Sequence, residues 1–140
     1  MRVLAIDYGD ARCGIAITDE LRITAQGLTT IHYNGNDKIL LTDLDKIMDE
    51  YQIHTIVVGM PYNMDGTKTS RAEKTEKFIH KLKCKYNKIK IEQVDERLTT
   101  VQANKTMIEL DINKNKKKNI RDTMAATYIL ETYISLLFRK

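Results

Sequence analysis

The sequence predicts an α/β fold: a mixed five-stranded sheet, an antiparallel meander followed by parallel strands, with helices on both faces. Three observations predict it. The N-terminal part holds three apolar or β-rich runs joined by turns too short to enclose a helix. From residue 37 onward, stretches with a helical apolar period alternate with β-branched runs. Right-handed crossovers through such helices lay the later strands parallel to the first.

Residues 2–7 read as a buried strand and 13–18 as a second. The connection Tyr8-Gly9-Asp10-Ala11-Arg12 is short enough for a hairpin. A third strand spans 24–32, with Gly27 as a bulge or bend. Asn34-Gly35-Asn36-Asp37 signals a turn whose Asn or Asp caps the next helix. That helix covers 37–51, with Leu40, Leu44, Ile47, Met48 and Tyr51 on one stripe. Thr55-Ile56-Val57-Val58-Gly59-Met60 is a short strand stopped by Pro61. Residues 62–70 form an exposed loop in which Tyr62 either stacks on a base or packs locally.

A helix over 70–86 buries Ala72, Thr75, Ile79, Leu82 and Tyr86, and turns Arg71 and its lysines to solvent. Residues 88–94 form the fifth strand, with Ile89 and Ile91 alternating with polar neighbours. Thr99 or Thr100 caps a further helix reaching residue 110. Residues 113–119, rich in Lys and Asn and without an apolar side chain, read as a mobile loop. A last helix runs over 120–138. No repeat or long linker interrupts the series, so one domain spans 1–140.

Ligands of such sheets collect beyond the carboxyl ends of the parallel strands. Asp7, Gly59-Met60-Pro61 and Asp95-Glu96 all fall at those ends. A charge closing a buried strand is costly unless paired or metal-bound, although Asp also forms turns. Asp122 opens the last helix and shares a stripe with Ala126, Ile129 and Tyr133, which aims it at the sheet. The plainer reading of Asp122 is a charge that complements the helix dipole.

Three converging carboxylates would repel without a cation. Mg²⁺ or Mn²⁺ prefers such oxygen ligands, and a site of this kind suits phosphodiester hydrolysis with water as nucleophile. Asp7, Glu96 and Asp122 are therefore the candidate catalytic and metal-binding residues. Glu96 is preferred for its longer arm, and Asp95 is the alternative. Arg97 is either a phosphate clamp or the partner of a carboxylate. Lys114, Lys116, Lys117, Lys118 and Arg121 directly precede Asp122 and would draw a phosphate backbone over it; otherwise they form a solvated charged loop.

The bulk numbers agree with a soluble globular protein: 42% hydrophobic, 30% charged, formal charge +4. The basic balance tilts toward anionic partners. No apolar run reaches the roughly 20 residues of a membrane span, and no leader is evident, so the cytoplasm is the expected compartment. Cys13 and Cys84 lack zinc-site spacing and read as free thiols.

Four motifs in order carry a resemblance that covers nearly the whole chain. They are Asp7-Tyr8-Gly9 with Arg12, Gly14, Ala16 and Asp19; Val58-Gly59-Met60-Pro61 with Asn63-Met64-Asp65-Gly66 and Arg71-Ala72; Asp95-Glu96-Arg97-Leu98-Thr99-Thr100 with Ala103; and the lysine-rich stretch with Asp122 and Ala125-Ala126, then Ile129-Leu130 and Tyr133. Together they resemble the YqgF/RuvX family of Holliday-junction-resolvase-like proteins, regarded as nucleases of the 16S ribosomal RNA precursor. The resemblance implies an RNase H-like fold. It also implies a metal-dependent nuclease acting on structured RNA in ribosome biogenesis, with Asp7, Glu96 (or Asp95) and Asp122 at the acidic positions. Arg12 joins Arg97, Lys116, Lys117, Lys118 and Arg121 as the expected nucleic-acid contacts.

Two departures are visible. Lys68, Thr69 and Ser70 supply no glycine where many relatives carry one, and Met60 stands where leucine is usual.

Two alternatives stand beside this reading: a resolvase of branched DNA, and a non-catalytic RNA- or ribosome-binding factor. No membrane partner is expected, and the oligomeric expectation is a monomer or weak homodimer. An actin-like ATP-binding protein also uses Asp-x-Gly, but this chain is short for its usual two domains.

Overall fold

The computed structural model describes residues 1–98 and 114–138, with side chains described for 1–98 and 123–138. In chain order the elements are β1 (Arg2–Tyr8), β2 (Arg12–Thr18), β3 (Ala25–His32), α1 (Asp37–Glu50), β4 (Ile53–Met60), α2 (Ser70–Lys85), β5 (Lys90–Asp95), a 3₁₀ turn (Glu96–Leu98) and α3 (Lys114–Leu137). The strands form one five-stranded sheet ordered β3-β2-β1-β4-β5. β1 pairs with β2, and β2 with β3, antiparallel; β1 pairs with β4, and β4 with β5, parallel. This is the mixed sheet the sequence predicts.

Local chemistry explains the element ends. Asn34 and Gly35 take positive φ values of 49° and 78°, which turns the chain out of β3. Asn36 then caps α1, its side chain accepting from the Lys38 amide at 3.1 Å. Thr69 caps α2 in the same way on Ala72 at 2.9 Å, and its hydroxyl donates to the Pro61 carbonyl. Near Gly27 the β2–β3 register shifts: Ile15 faces Thr29, Ala16 faces Gly27, and Leu28 is the extra residue of a bulge. Thr123 of α3 fills the space over Gly27, its Cβ 3.0 Å from where a glycine Cβ would stand.

Strand alternation sorts the core into two layers. Leu4, Ile6, Ile15, Val58 and Met60 face α1 and α2, meeting Leu40, Leu44, Phe78 and Leu82. Val3, Ala5, Ala16, Val57 and Val94 face α3, meeting Ala125, Ala126, Ile129 and Tyr133. Small residues on that side let α3 lie close across the sheet.

One boundary differs from expectation. Residues 114–119 are not a loop but the first turns of α3, which starts at Lys114 rather than near residue 120. The stretch contains no Gly or Pro, and lysine tolerates helix well, so nothing local stops the helix that packing of Ala125–Ile134 stabilises. The expected helix from Thr99 or Thr100 to residue 110 lies outside the described residues. No helix among the described residues is long and apolar enough to cross a membrane.

Candidate active site

The carboxyl ends of β1, β4 and β5 lie side by side, and the acidic residues stand there. Asp7 is only 7% exposed. By strand alternation it shares the face of Val3 and Ala5, and so looks toward α3. Val58 pairs with Ile6, so Asp7 and Gly59 each stand one residue further along neighbouring strands.

Glu96 completes this arrangement. Its Oε1 lies 2.8 Å from the point where a Cβ on Gly59 would stand, and Ile129 Cδ1 lies 2.5 Å from the same point. Gly59 is therefore the space that the Glu96 carboxylate and α3 share. Contact with that point, which Ile129 of α3 also approaches, puts Glu96 on the face of Val94. Asp95, paired in register with Met60, turns to the opposite layer.

There Asp95 meets Arg97. Nε and Nη2 of Arg97 both donate to its carboxylate, the shorter contact being 2.6 Å. These hydrogen bonds hold the Asp95 carboxyl below the usual range. Arg97 also donates to the Met64 carbonyl at 3.3 Å and stacks over the Tyr62 ring at 5.6 Å. It thereby ties the 3₁₀ turn to the loop after β4.

That loop is braced by its own polar contacts. Tyr62 and Lys68 form a β-bridge, and the Asp65 carboxylate accepts from both the amide and the hydroxyl of Thr67. Gly66 takes φ +89° at its tip, which favours glycine.

The turn after Asp7 is equally constrained. A Cβ on Gly9 would stand 2.6 Å from the Arg12 carbonyl oxygen, so only glycine fits. The Tyr33 hydroxyl donates to the Gly9 carbonyl, and Arg71 Nη2 donates to the Tyr8 carbonyl at 2.9 Å. Tyr33 and Arg71 were not foreseen as supports of this turn. No local pattern singles out Tyr33, and Arg71 reads as a solvated helix position; only tertiary contact brings them here. Arg12, the first residue of β2, lies at the same end of the sheet and on the parity of Gly14 and Ala16, the α3 face.

Asp122, Lys116, Lys117, Lys118 and Arg121 all lie on the backbone of α3, and Asp122 precedes Ala126 by one turn. Their side chains lie outside the described residues. Among the described residues no three His, Cys, Asp or Glu side chains gather as a metal-binding group. Asp7 and Glu96 are the two expected acidic residues that those residues bring to one face.

Sheet order, strand directions and the two layers define an RNase H-like fold. The structure superposes on fowlpox virus resolvase, in a crystal structure with its Holliday junction DNA, at a TM-score of 0.59 and 12% identity, over 99% of this chain and 100% of that one. *Thermus thermophilus* RuvC in complex with a Holliday junction substrate matches at 0.59 and 8% identity, over 99% and 97%. At such identities the likeness is one of fold.

The sequence places the chain more closely. Residues 1–136 match the model of the family described as "RuvX: Holliday junction resolvase", and the chain belongs to that family. It is 49% identical over 134 residues to an *Acetivibrio thermocellus* protein, covering 96% of this chain and 95% of the relative. It is 46% identical over 137 residues to one of *Clostridium botulinum*, covering 98% of each. Both relatives bear the name "Putative pre-16S rRNA nuclease".

Proposed function

We propose that this chain is a cytoplasmic, metal-dependent nuclease, a single domain over 1–140, that hydrolyses phosphodiester bonds in structured RNA. Its proposed task is to process the 16S ribosomal RNA precursor. The observation that carries this reading is the shared face of Asp7 and Glu96 at the sheet's carboxyl end, with Gly59 making room for the second carboxylate. Family membership and the names of the relatives support it.

The donor set fits a hard cation. Both groups are carboxylates, Asp7 is buried, and Mg²⁺ and Mn²⁺ take oxygen ligands. Asp7, Glu96 and Asp122 would hold the ion. When bound, such an ion acidifies water and offsets charge on the phosphate oxygens.

The chain's own residues do the rest. β1 and the tight Gly9 turn place Asp7 at the strand end, and Glu96 and Ile129 share the space beside Gly59. The Arg97–Asp95 pair holds the 61–69 loop against the strand end. Arg12, Lys116, Lys117, Lys118 and Arg121 would draw the phosphate backbone toward the acidic face. The nucleophile in this reading is water, with no covalent enzyme intermediate.

A second reading, cleavage of four-way DNA junctions, is favoured by the family's description. Cleavage of a precursor RNA and of a DNA junction at equal concentration separates the two. Asp7→Ala is expected to keep RNA binding and folding. It should lose more than the ~10–100-fold that even an outer-shell partner costs. Full metal-dependent activity in that variant overturns the proposal. RNA binding without cleavage by the unaltered protein, in Mg²⁺ or Mn²⁺, favours a non-catalytic factor.

A further inference from the structure

The geometry points to Arg71 as a phosphate-binding residue that seats the nucleic-acid backbone at the carboxyl end of β1, on the α2 side of the strand that carries Asp7. This rests on the nuclease reading above and adds a substrate contact to it. Arg71 is exposed in the first turn of α2. Its Nη2 donates to the Tyr8 carbonyl at 2.9 Å and lies 3.9 Å from where a Cβ on Gly9 would stand. The guanidinium is therefore pinned to the residue next to Asp7.

What separates Arg71 from the cations around it is the nature of its anchor. Lys68 is paired with Glu76 at 2.8 Å, Lys74 with Asp10 at 3.6 Å, and Arg97 with Asp95 at 2.6 Å. Arg71 is held by a neutral carbonyl and enters no ion pair among the described residues. Its charge is fixed in place yet not offset. A guanidinium carries five N–H donors, so most of its fork stays available. That fork matches two oxygens of a phosphate, and a pre-positioned side chain gives up little freedom on binding. The ligand class is a phosphodiester backbone, contacted without regard to base.

The test is fluorescence anisotropy of a labelled RNA stem-loop with a single-stranded 5′ flank, in Ca²⁺, over a series of salt concentrations, with the RNA checked for integrity. Arg71→Ala is expected to weaken binding about tenfold near 0.1 M salt. It should also reduce the slope of log K against log salt by about 0.7–0.9, the value for one phosphate. Arg71→Lys should keep the slope and bind with intermediate strength, since it keeps the charge and loses the fork. Lys46→Ala, an equal charge change on α1, should leave the slope unaltered.

A wild-type slope in Arg71→Ala, with only a lowered thermal midpoint, marks a structural role and overturns the inference. So does an equal loss of slope in Lys46→Ala. Failure of the unaltered protein to bind either RNA or a DNA junction overturns the nuclease reading, and this contact with it.

Discussion

The Oε1 of Glu96 occupies the space beside Gly59, 2.8 Å from where an alanine methyl would sit. This contact puts Glu96 on the face of Asp7, while Asp95 turns to the other layer and takes Arg97 as its partner. Side-chain length suggested the same choice from the sequence, but the deciding cause is tertiary: β5 ends with Asp95 opposite Met60, and the 3₁₀ turn that follows carries Glu96 over Gly59.

Gly59→Ala should therefore separate activity from stability. The obstructing atoms are the end of Ile129 and a carboxylate oxygen, both of which can swing away. Unfolding free energy should fall by about 1–3 kcal/mol, the usual cost of overpacking. Nuclease activity should fall much further, because Glu96 is displaced. Chemical denaturation and cleavage rates on one preparation check this; equal fractional losses would argue against the role of Glu96.

Gly9→Ala should behave in the opposite way. Its methyl would meet the Arg12 backbone oxygen at 2.6 Å, and a hairpin backbone cannot rotate aside. We expect a stability loss at or above the upper end of the same ~1–3 kcal/mol range. A thermal midpoint within a degree of the unaltered protein would contradict the strained approach.

The Asp95–Arg97 pair predicts a pH dependence. Hydrogen bonds from Arg97 lower the folded-state pKa of Asp95 beneath its unfolded value of about 3.9. The stabilisation is therefore complete above about pH 4 and is lost as pH falls through the lower folded value. The pair is partly exposed, so solvent screening keeps its contribution small. Asp95→Asn should flatten this part of the stability profile between roughly pH 2 and 5. Identical profiles for the two proteins would exclude the linkage.

The two thiols should differ sharply in reactivity. Both are free; Cys84 is exposed, whereas burial pushes the Cys13 thiol up to about 12. A thiol-specific reagent at neutral pH should label Cys84 alone in the native protein, and both cysteines in denaturant. Cys84→Ser should abolish native labelling.

Much of this molecule is legible in its sequence. The period of apolar residues determines α1, α2 and the strands, and Asn36 and Gly66 mark turns by their own conformational preferences. The acidic strand ends Asp7 and Asp95-Glu96 are visible because a charge closing an apolar run is costly. The beginning of α3 is not legible, because a polar lysine-rich run has no period; packing further along the helix carries it back to Lys114.

The sequence by itself therefore determined the element types, their order and the end of the sheet where acidic groups gather. Those follow from periodicity and turn chemistry, which act over a few residues. Only the tertiary structure decided which acidic side chain shares the face of Asp7, that Arg97 is neutralised by Asp95, and that Arg71 and Tyr33 grip the Gly9 turn. Those contacts join residues far apart in the chain or depend on the exact phase of a strand end, and no local pattern encodes them.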